Sequence, residues 1–164
     1  MQKIKLLVMD VDGTLTNGKI HISSNGEIFK SFDVKDGYGI VNILPKLNIK
    51  PVIITGRISD IVSIRAKELG IKYCYQGISN KKEKLLELLY NLNIPHKEVA
   101  YIGDDLNDLE IMNICGLKSC PADAVSEIKQ ICDYICKSSG GHGAVREFID
   151  WIYSRSENNY ATFN

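Results

Sequence analysis

Short apolar runs alternate along the chain with longer stretches whose apolar residues fall at helical spacing. The run Lys5-Leu6-Leu7-Val8-Met9 has the length and continuity of a buried strand. Further strands are expected at 51–55, 71–76, 99–103, 117–120 and 134–136. Between them the spacing predicts helices. One opens at Asp36-Gly37-Tyr38-Gly39 and continues to about residue 47, with Ile40, Val41, Ile43, Leu44 and Leu47 as its apolar set. A second is capped by Ser59 or Asp60 and ends near Gly70. A third covers 82–92, carries Leu85, Leu86, Leu88 and Leu89, and is followed by Pro95. Others are expected from Asp108 to about residue 115, over 124–131 and over 144–153. Residues 154–164 read as a loose polar tail.

One segment breaks the alternation. Ile20-His21-Ile22-Ser23 and Ile28-Phe29-Lys30-Ser31-Phe32 flank Asn25-Gly26, and Asn-Gly between partly alternating runs is a strong hairpin signal. The hairpin occupies about 19–33, just after the first strand. Its apolar residues either face another subunit or pack on their own domain, and local sequence favours neither. Elsewhere, strands and helices alternate at βαβ spacing, which implies a parallel sheet covered on both faces. The expectation is one domain over 1–153: a Rossmann-like, three-layer α/β/α fold with a projecting β-hairpin.

A chain of 164 residues is long enough to bury a substantial core. Twenty basic and twenty acidic residues give a formal net charge of +0, which offers no electrostatic case for nucleic acid or an anionic membrane as partner. No apolar run approaches the ~20 residues of a membrane span. The N-terminus enters a strand without a signal-peptide pattern, so a cytoplasmic setting is expected. Cys74, Cys115, Cys120, Cys132 and Cys136 then read as reduced, mostly core residues. Cys132 and Cys136 are spaced to share a helix face, but with no matching second pair they are not read as a metal site.

The strand ends carry the candidate chemistry: Asp10 and Asp12 after the first, Thr55 at the end of the second, and Asp104, Asp105 and Asp108 after the fourth. Ligands bind at the carboxyl ends of strands in open parallel sheets. Acids converging there repel unless a cation neutralises them. Hard carboxylate oxygens suit Mg²⁺, held by one or two carboxylates with water and substrate phosphate. A single Asp-x-Asp is commonly a solvated turn; three matching strand ends are harder to dismiss.

Asp10-Val11-Asp12-Gly13-Thr14-Leu15, Ile54-Thr55-Gly56-Arg57, Lys81 and Gly103-Asp104-Asp105-Leu106-Asn107-Asp108 resemble, in order, the four motifs of the haloacid dehalogenase superfamily of phosphohydrolases. The resemblance implies a Mg²⁺-dependent phosphoric monoester hydrolase. Asp10 would be the nucleophile, forming an aspartyl-phosphate, and Asp12 would protonate the leaving alkoxide and then activate water. Thr55 would offer its hydroxyl to the phosphate, and Lys81 the cation that balances Asp10 and the phosphate. Asp10, Asp104 and the backbone carbonyl of Asp12 would hold the metal, supported from outside by Asp105 and Asp108. Neighbouring acids would favour a protonated Asp12. By itself Lys81 could pass for a surface lysine beside Lys82 and Lys84. Neither gap between the first three motifs has room for a cap domain, so the site stays open unless the hairpin or a neighbouring subunit covers it.

A closer resemblance is to the uncapped, tetrameric 3-deoxy-D-manno-octulosonate 8-phosphate phosphatases of lipopolysaccharide precursor synthesis. It rests on the hairpin, Phe32-Asp33-Val34-Lys35-Asp36-Gly37-Tyr38-Gly39-Ile40, Gln76-Gly77 with Ser79-Asn80-Lys81, and Gly140-Gly141 with Gly143-Ala144-Val145-Arg146-Glu147. It implies a homotetramer assembled through the hairpins and a small phosphorylated sugar acid as substrate. Lys35, Asp36 and Gly37 would line the sugar side. Gly56 would lie beside the phosphate, and Arg57 and Arg65 would be available for a carboxylate or hydroxyls. Arg65 could equally be a solvated helix residue, and the Gly140 to Arg146 stretch a loop and helix cap within its own subunit. The chain departs from the family at Val41, where an arginine commonly stands. That keeps a related nine-carbon sugar acid 9-phosphate open as substrate. From another class, a non-catalytic tetramerisation module is the competing reading; complete motifs count against it.

Overall fold

A computed structural model describes residues 3–160. Six parallel strands form the central sheet in the order β5-β4-β1-β6-β7-β8, comprising β1 (Leu6–Met9), β4 (Lys50–Ile54), β5 (Tyr73–Tyr75), β6 (Val99–Ile102), β7 (Leu117–Cys120) and β8 (Tyr134–Ile135). β1 lies between β4 and β6, with Met9 beside Ile53 and Ile102. All four residues of β1 are buried, and their alternation feeds two cores. Leu7 and Met9 join one with Ile40, Leu44, Val62, Phe148 and Ile149; Leu6 and Val8 join the other with Leu85, Leu88, Ile111, Met112 and Ile128. The first core is closed by the turns that follow α1 (Val34–Tyr38), by α2 (Asp60–Glu68) and by α6 (Ala144–Tyr160), the second by α3 (Lys81–Leu92), α4 (Leu109–Ile114) and α5 (Ser126–Ile131). This is the expected three-layer arrangement.

The helix expected from Asp36 starts earlier and is not uniform. Asp33 caps it by accepting from Lys35 N–H at 2.7 Å. After α1 the turn widens to π-helix over Gly39–Ile43, then tightens to 3-10 over Leu44–Leu47. Pro45 has no N–H to donate back to Val41 and its ring crowds that turn, so the regular ladder cannot continue through it. Of the two candidate caps for α2, Ser59 fills the role. Cys132 and Cys136 do not share a helix face: α5 ends at Ile131 and β8 lies between them. All five cysteines are free thiols, with Cys115, Cys120 and Cys136 buried. The last helix runs past residue 153 to Tyr160, so this part of the expected tail is helical. Trp151 stacks on Tyr134 with ring centroids 4.9 Å apart, and the Arg155 guanidinium sits 4.2 Å from the Trp151 ring centre, which extends the packed face of α6. The remainder of the expected tail lies outside the described residues.

The hairpin is present as β2 (His21–Ser23) and β3 (Gly26–Phe29), an antiparallel pair separate from the main sheet. His21 and Phe29 stack with ring centroids 4.0 Å apart. Ile20, Ile22, Ile28 and Phe29 stay exposed, so within one subunit these four are not buried on their own domain, whereas Phe32 packs against the first core. Among the described residues no helix is long and apolar enough to cross a membrane.

Candidate active site

The chain leaves β1 at Met9 and turns at once. Asp10 remains buried at the strand end, next to β6 on one side and β4 on the other. Gly13 has φ +98°, and a Cβ there would lie 2.0 Å from Asp104 Oδ2. The loop can therefore pass under the Asp104 carboxylate only as glycine. Thr14 donates its hydroxyl to Asp104 Oδ1 at 2.9 Å, tying the loop after β1 to the end of β6. Gly140 packs on the same loop from the other side, where a Cβ would fall 1.8 Å from Gly13 O, and Gly141 N–H donates to Thr14 O at 3.1 Å. The glycine stretch before α6 thus supports the loop after β1 of its own subunit.

Asp10, Asp104 and Asp108 converge, each with a carboxylate oxygen within 4.8 Å of the others. Lys81, the first residue of α3, is buried among them. Its ammonium donates to Asp108 Oδ1 at 2.6 Å and forms an ion pair with Asp10 Oδ1 at 2.9 Å. The latter contact is off the hydrogen-bond line, and Asp10 Oδ1 has no hydrogen-bond partner. Asp108 is fully committed: Tyr101 OH donates to it at 2.7 Å, and the backbone N–H groups of Asp104 and Asp105 approach its other oxygen at 3.0 and 3.4 Å. Its role is to brace the loop and Lys81. The Asp105 side chain instead accepts from Leu106 N–H at 2.7 Å and caps the turn over Leu106–Asp108, outside the cluster.

These acids are crowded. Burial, reinforced by the Asp108 charge and opposed by Lys81, pushes Asp10 up to about 6. Burial and the Asp10 charge push Asp104 up to about 7, against the Thr14 hydrogen bond. Burial works against the Lys81 charge, but Asp10 and Asp108 outweigh it and hold its pKa above the ordinary lysine value. Three carboxylates against one ammonium leave an excess of negative charge that fits a divalent cation held by oxygen ligands. Thr55 is buried at the end of β4, its N–H bonded to Tyr75 O at 3.0 Å, and Gly56 and Arg57 follow it.

The Asp12 carboxylate points elsewhere. It pairs with Lys30 through Oδ1, and Arg57 Nε lies 3.7 Å from Oδ2. The expectation that acids crowd Asp12 is therefore corrected: after Asp10 the loop turns its side chain toward two cations. Neither Lys30 nor its second partner, Glu27, was singled out from the sequence. A lysine near the end of an alternating run reads as solvated, and only the fold brings it to residue 12.

The expected sugar-side residues form a distinct group. Asp36, Gly37 and Arg65 line a cavity of about 10 Å³ with Val11, Leu15 and Phe32, and none of Asp10, Asp12, Thr55 or Lys81 reaches its walls. Asp36 is buried and accepts from Arg146 N–H at 2.7 Å, holding the start of α6. Arg65 pairs with Glu68 at 2.8 Å and lies over Phe32. Lys35 is exposed on α1.

A model of haloacid dehalogenase-like hydrolases matches residues 74–149. The chain is 46% identical to 3-deoxy-D-manno-octulosonate 8-phosphate phosphatase KdsC of Salmonella typhi over 92% of its own length and 80% of that protein. It is similar to the Moraxella catarrhalis phosphatase of the same name, solved with magnesium ion, phosphate ion and KDO, with TM-score 0.89, 40% identity, and coverage of 99% of this chain and 95% of that one. The cobalt-bound Haemophilus influenzae phosphatase gives TM-score 0.88 at 38% identity over 93% of this chain and 88% of that one. With its parallel sheet and its acids gathered at the strand ends, the chain belongs to the 3-deoxy-D-manno-octulosonate 8-phosphate phosphatases of the haloacid dehalogenase-like hydrolases.

Proposed function

We propose that this protein hydrolyses 3-deoxy-D-manno-octulosonate 8-phosphate to the free sugar acid and inorganic phosphate, with Mg²⁺ as cofactor. The observation that carries the reading is the convergence of the Asp10, Asp104 and Asp108 carboxylates at the sheet edge, with the buried Lys81 ammonium paired to Asp10 and Asp108, in a chain this similar to named phosphatases. Asp10 and Asp104, with the Asp12 backbone carbonyl, would hold the metal; when bound it supplies positive charge to the phosphoryl oxygens and offsets their repulsion of the nucleophile. Asp10 attacks phosphorus, the bond to the sugar oxygen breaks, and Asp12, having taken up a proton from solvent, passes it to that oxygen. Water then attacks phosphorus of the aspartyl-phosphate, loses a proton to Asp12, and frees the Asp10 carboxylate. Lys81 keeps Asp10 in place and balances its charge. Thr55 and the N–H groups around Gly56 would donate to the phosphate oxygens.

The exposed Ile20, Ile22, Ile28 and Phe29 support assembly through the hairpin, with a homotetramer as the proposed state. The setting is cytoplasmic, in lipopolysaccharide precursor synthesis. Lys35 and Arg57 remain the accessible side chains for the sugar acid. Phosphate release from the eight-carbon 8-phosphate and a nine-carbon 9-phosphate, measured with Mg²⁺ and with chelator, tests the proposal. A preference for the eight-carbon substrate that chelator abolishes is expected. Preference for the nine-carbon acid reassigns the substrate, and an assembled but inactive protein makes it an assembly module.

A further inference from the structure

Outside the proposed metal cluster, the Lys30 side chain is also enclosed, only 2% exposed. A buried ammonium is tolerated only when paired and hydrogen-bonded. Lys30 donates to Asp12 Oδ1 and sits 3.0 Å from Glu27 Oε1. Glu27 accepts from the Ser59 hydroxyl through its other oxygen. Ser59 is in turn fixed: its N–H donates to Gln76 Oε1 at 2.8 Å, and it caps α2. Arg57 spans the pair, 3.7 Å from Asp12 and 3.8 Å from Glu27. Burial opposes the Glu27 charge, but Ser59, Lys30 and Arg57 hold its carboxyl below the ordinary value.

We propose that Lys30 and Glu27 are positioning residues for Asp12: the hairpin reaches back into its own subunit and fixes the carboxylate that handles the leaving-group proton. This rests on the reading of Asp12 as acid and base. A carboxylate on a surface loop rotates freely about its last bond. Here Lys30 holds one oxygen, and Glu27, anchored through Ser59 to the β4–α2 loop, holds Lys30. Arg57, half-exposed and beyond hydrogen-bond distance, cannot do this alone. The hairpin therefore contributes to the chemistry of its own site, independently of any role of its exposed face in assembly.

The test compares kcat/KM, which reports the steps through leaving-group departure, on two substrates. One is the sugar acid 8-phosphate, whose alkoxide needs a proton; the other is 4-nitrophenyl phosphate, whose phenolate does not. Lys30→Met is expected to lose about 30-fold on the sugar phosphate and less than about 5-fold on the aryl phosphate, within the range for acid–base catalysis and for misplacing a catalytic group. Glu27→Gln, which keeps an acceptor for Ser59, is expected to show the same pattern at about 3- to 10-fold, and decides the matter if Lys30→Met does not fold. Lys30→Arg restores the charge and should recover part of the loss. Asp12→Asn is run in parallel. If it shows the leaving-group-dependent loss while the folded Lys30 and Glu27 variants lose equally on both substrates, or not at all, the positioning role is overturned. If Asp12→Asn itself loses equally on both, the acid role of Asp12 fails, and the inference with it.

Discussion

The two charged groups at the sheet edge are built on opposite plans. The inner one sets Asp10, Asp104 and Asp108 against Lys81 alone, and leaves Asp10 Oδ1 without a hydrogen bond. The outer one sets Asp12 and Glu27 against Lys30 and Arg57 and is balanced within itself. Their acids respond accordingly: burial and like charge push Asp10 and Asp104 up, while partners hold Glu27 down. Burial alone does not separate them, since Lys30 and Lys81 are equally enclosed. What differs is the charge left over. The inner group carries an excess of negative charge that a divalent cation can offset; the outer group needs nothing added to stay in place. One is arranged to bind, the other to hold.

The sharpest way to break this comparison is Asp10→Asn. Removing the proposed nucleophile should lower turnover by about 10⁴-fold or more, since loss of one member of a catalytic unit costs nearly the whole of it. The same change relieves repulsion, so the melting temperature of the metal-free protein should rise by a few degrees. Calorimetry in chelator checks the second half; a fall in melting temperature would mean that the inner group is not over-charged. Lys81→Met tests it from the other side. It strips the one cation from two buried carboxylates, and removal of one partner from such a pair costs about 3–5 kcal/mol. Chemical denaturation without metal should show that loss, and added Mg²⁺ should recover part of it.

Much of the inner group was legible because it sits where the chain pattern points. An apolar run followed by acids puts those acids at a strand end, and β1 between β4 and β6 brings Asp10, Thr55 and Asp104 to one edge. Their crowding follows from the order of the strands. The outer group was not legible. Lys30, Asp12, Glu27 and Ser59 lie on a hairpin, a loop and a helix cap, and no period relates them. Asp36 is expected at the opening of a helix and on the sugar side, yet α1 begins earlier, at Val34, and carries it inward to the N–H of Arg146. The widened turn over Gly39–Ile43 was hidden as well, because Pro45 acts on the ladder several residues before itself.

Asp36 also offers the smallest and cleanest test, because it separates burial from the acid crowding of the inner group. Its Oδ1 has the Arg146 N–H but its Oδ2 has no hydrogen bond. Burial is the main cause that raises it from 3.8 to about 6, with Arg146 N–H opposing and the Asp33 charge adding to the rise. A raised carboxyl binds its proton more tightly in the fold than in the unfolded chain. Its contribution to stability is therefore complete below pH 3.8 and is lost as pH rises through about 6. The loss is on the order of 2 kcal/mol between those limits. Asn at this position keeps an acceptor for Arg146 and carries no charge at any pH. Denaturation of Asp36→Asn and the parent at pH 4.5 and pH 7.5 should find the variant more stable at the higher pH by that amount and close to the parent at the lower. Because Asp36 lies outside the metal cluster, the difference should be the same with and without Mg²⁺. A Mg²⁺-dependent difference would join this cavity to the inner group and blur the division between a region built to bind and regions built to hold.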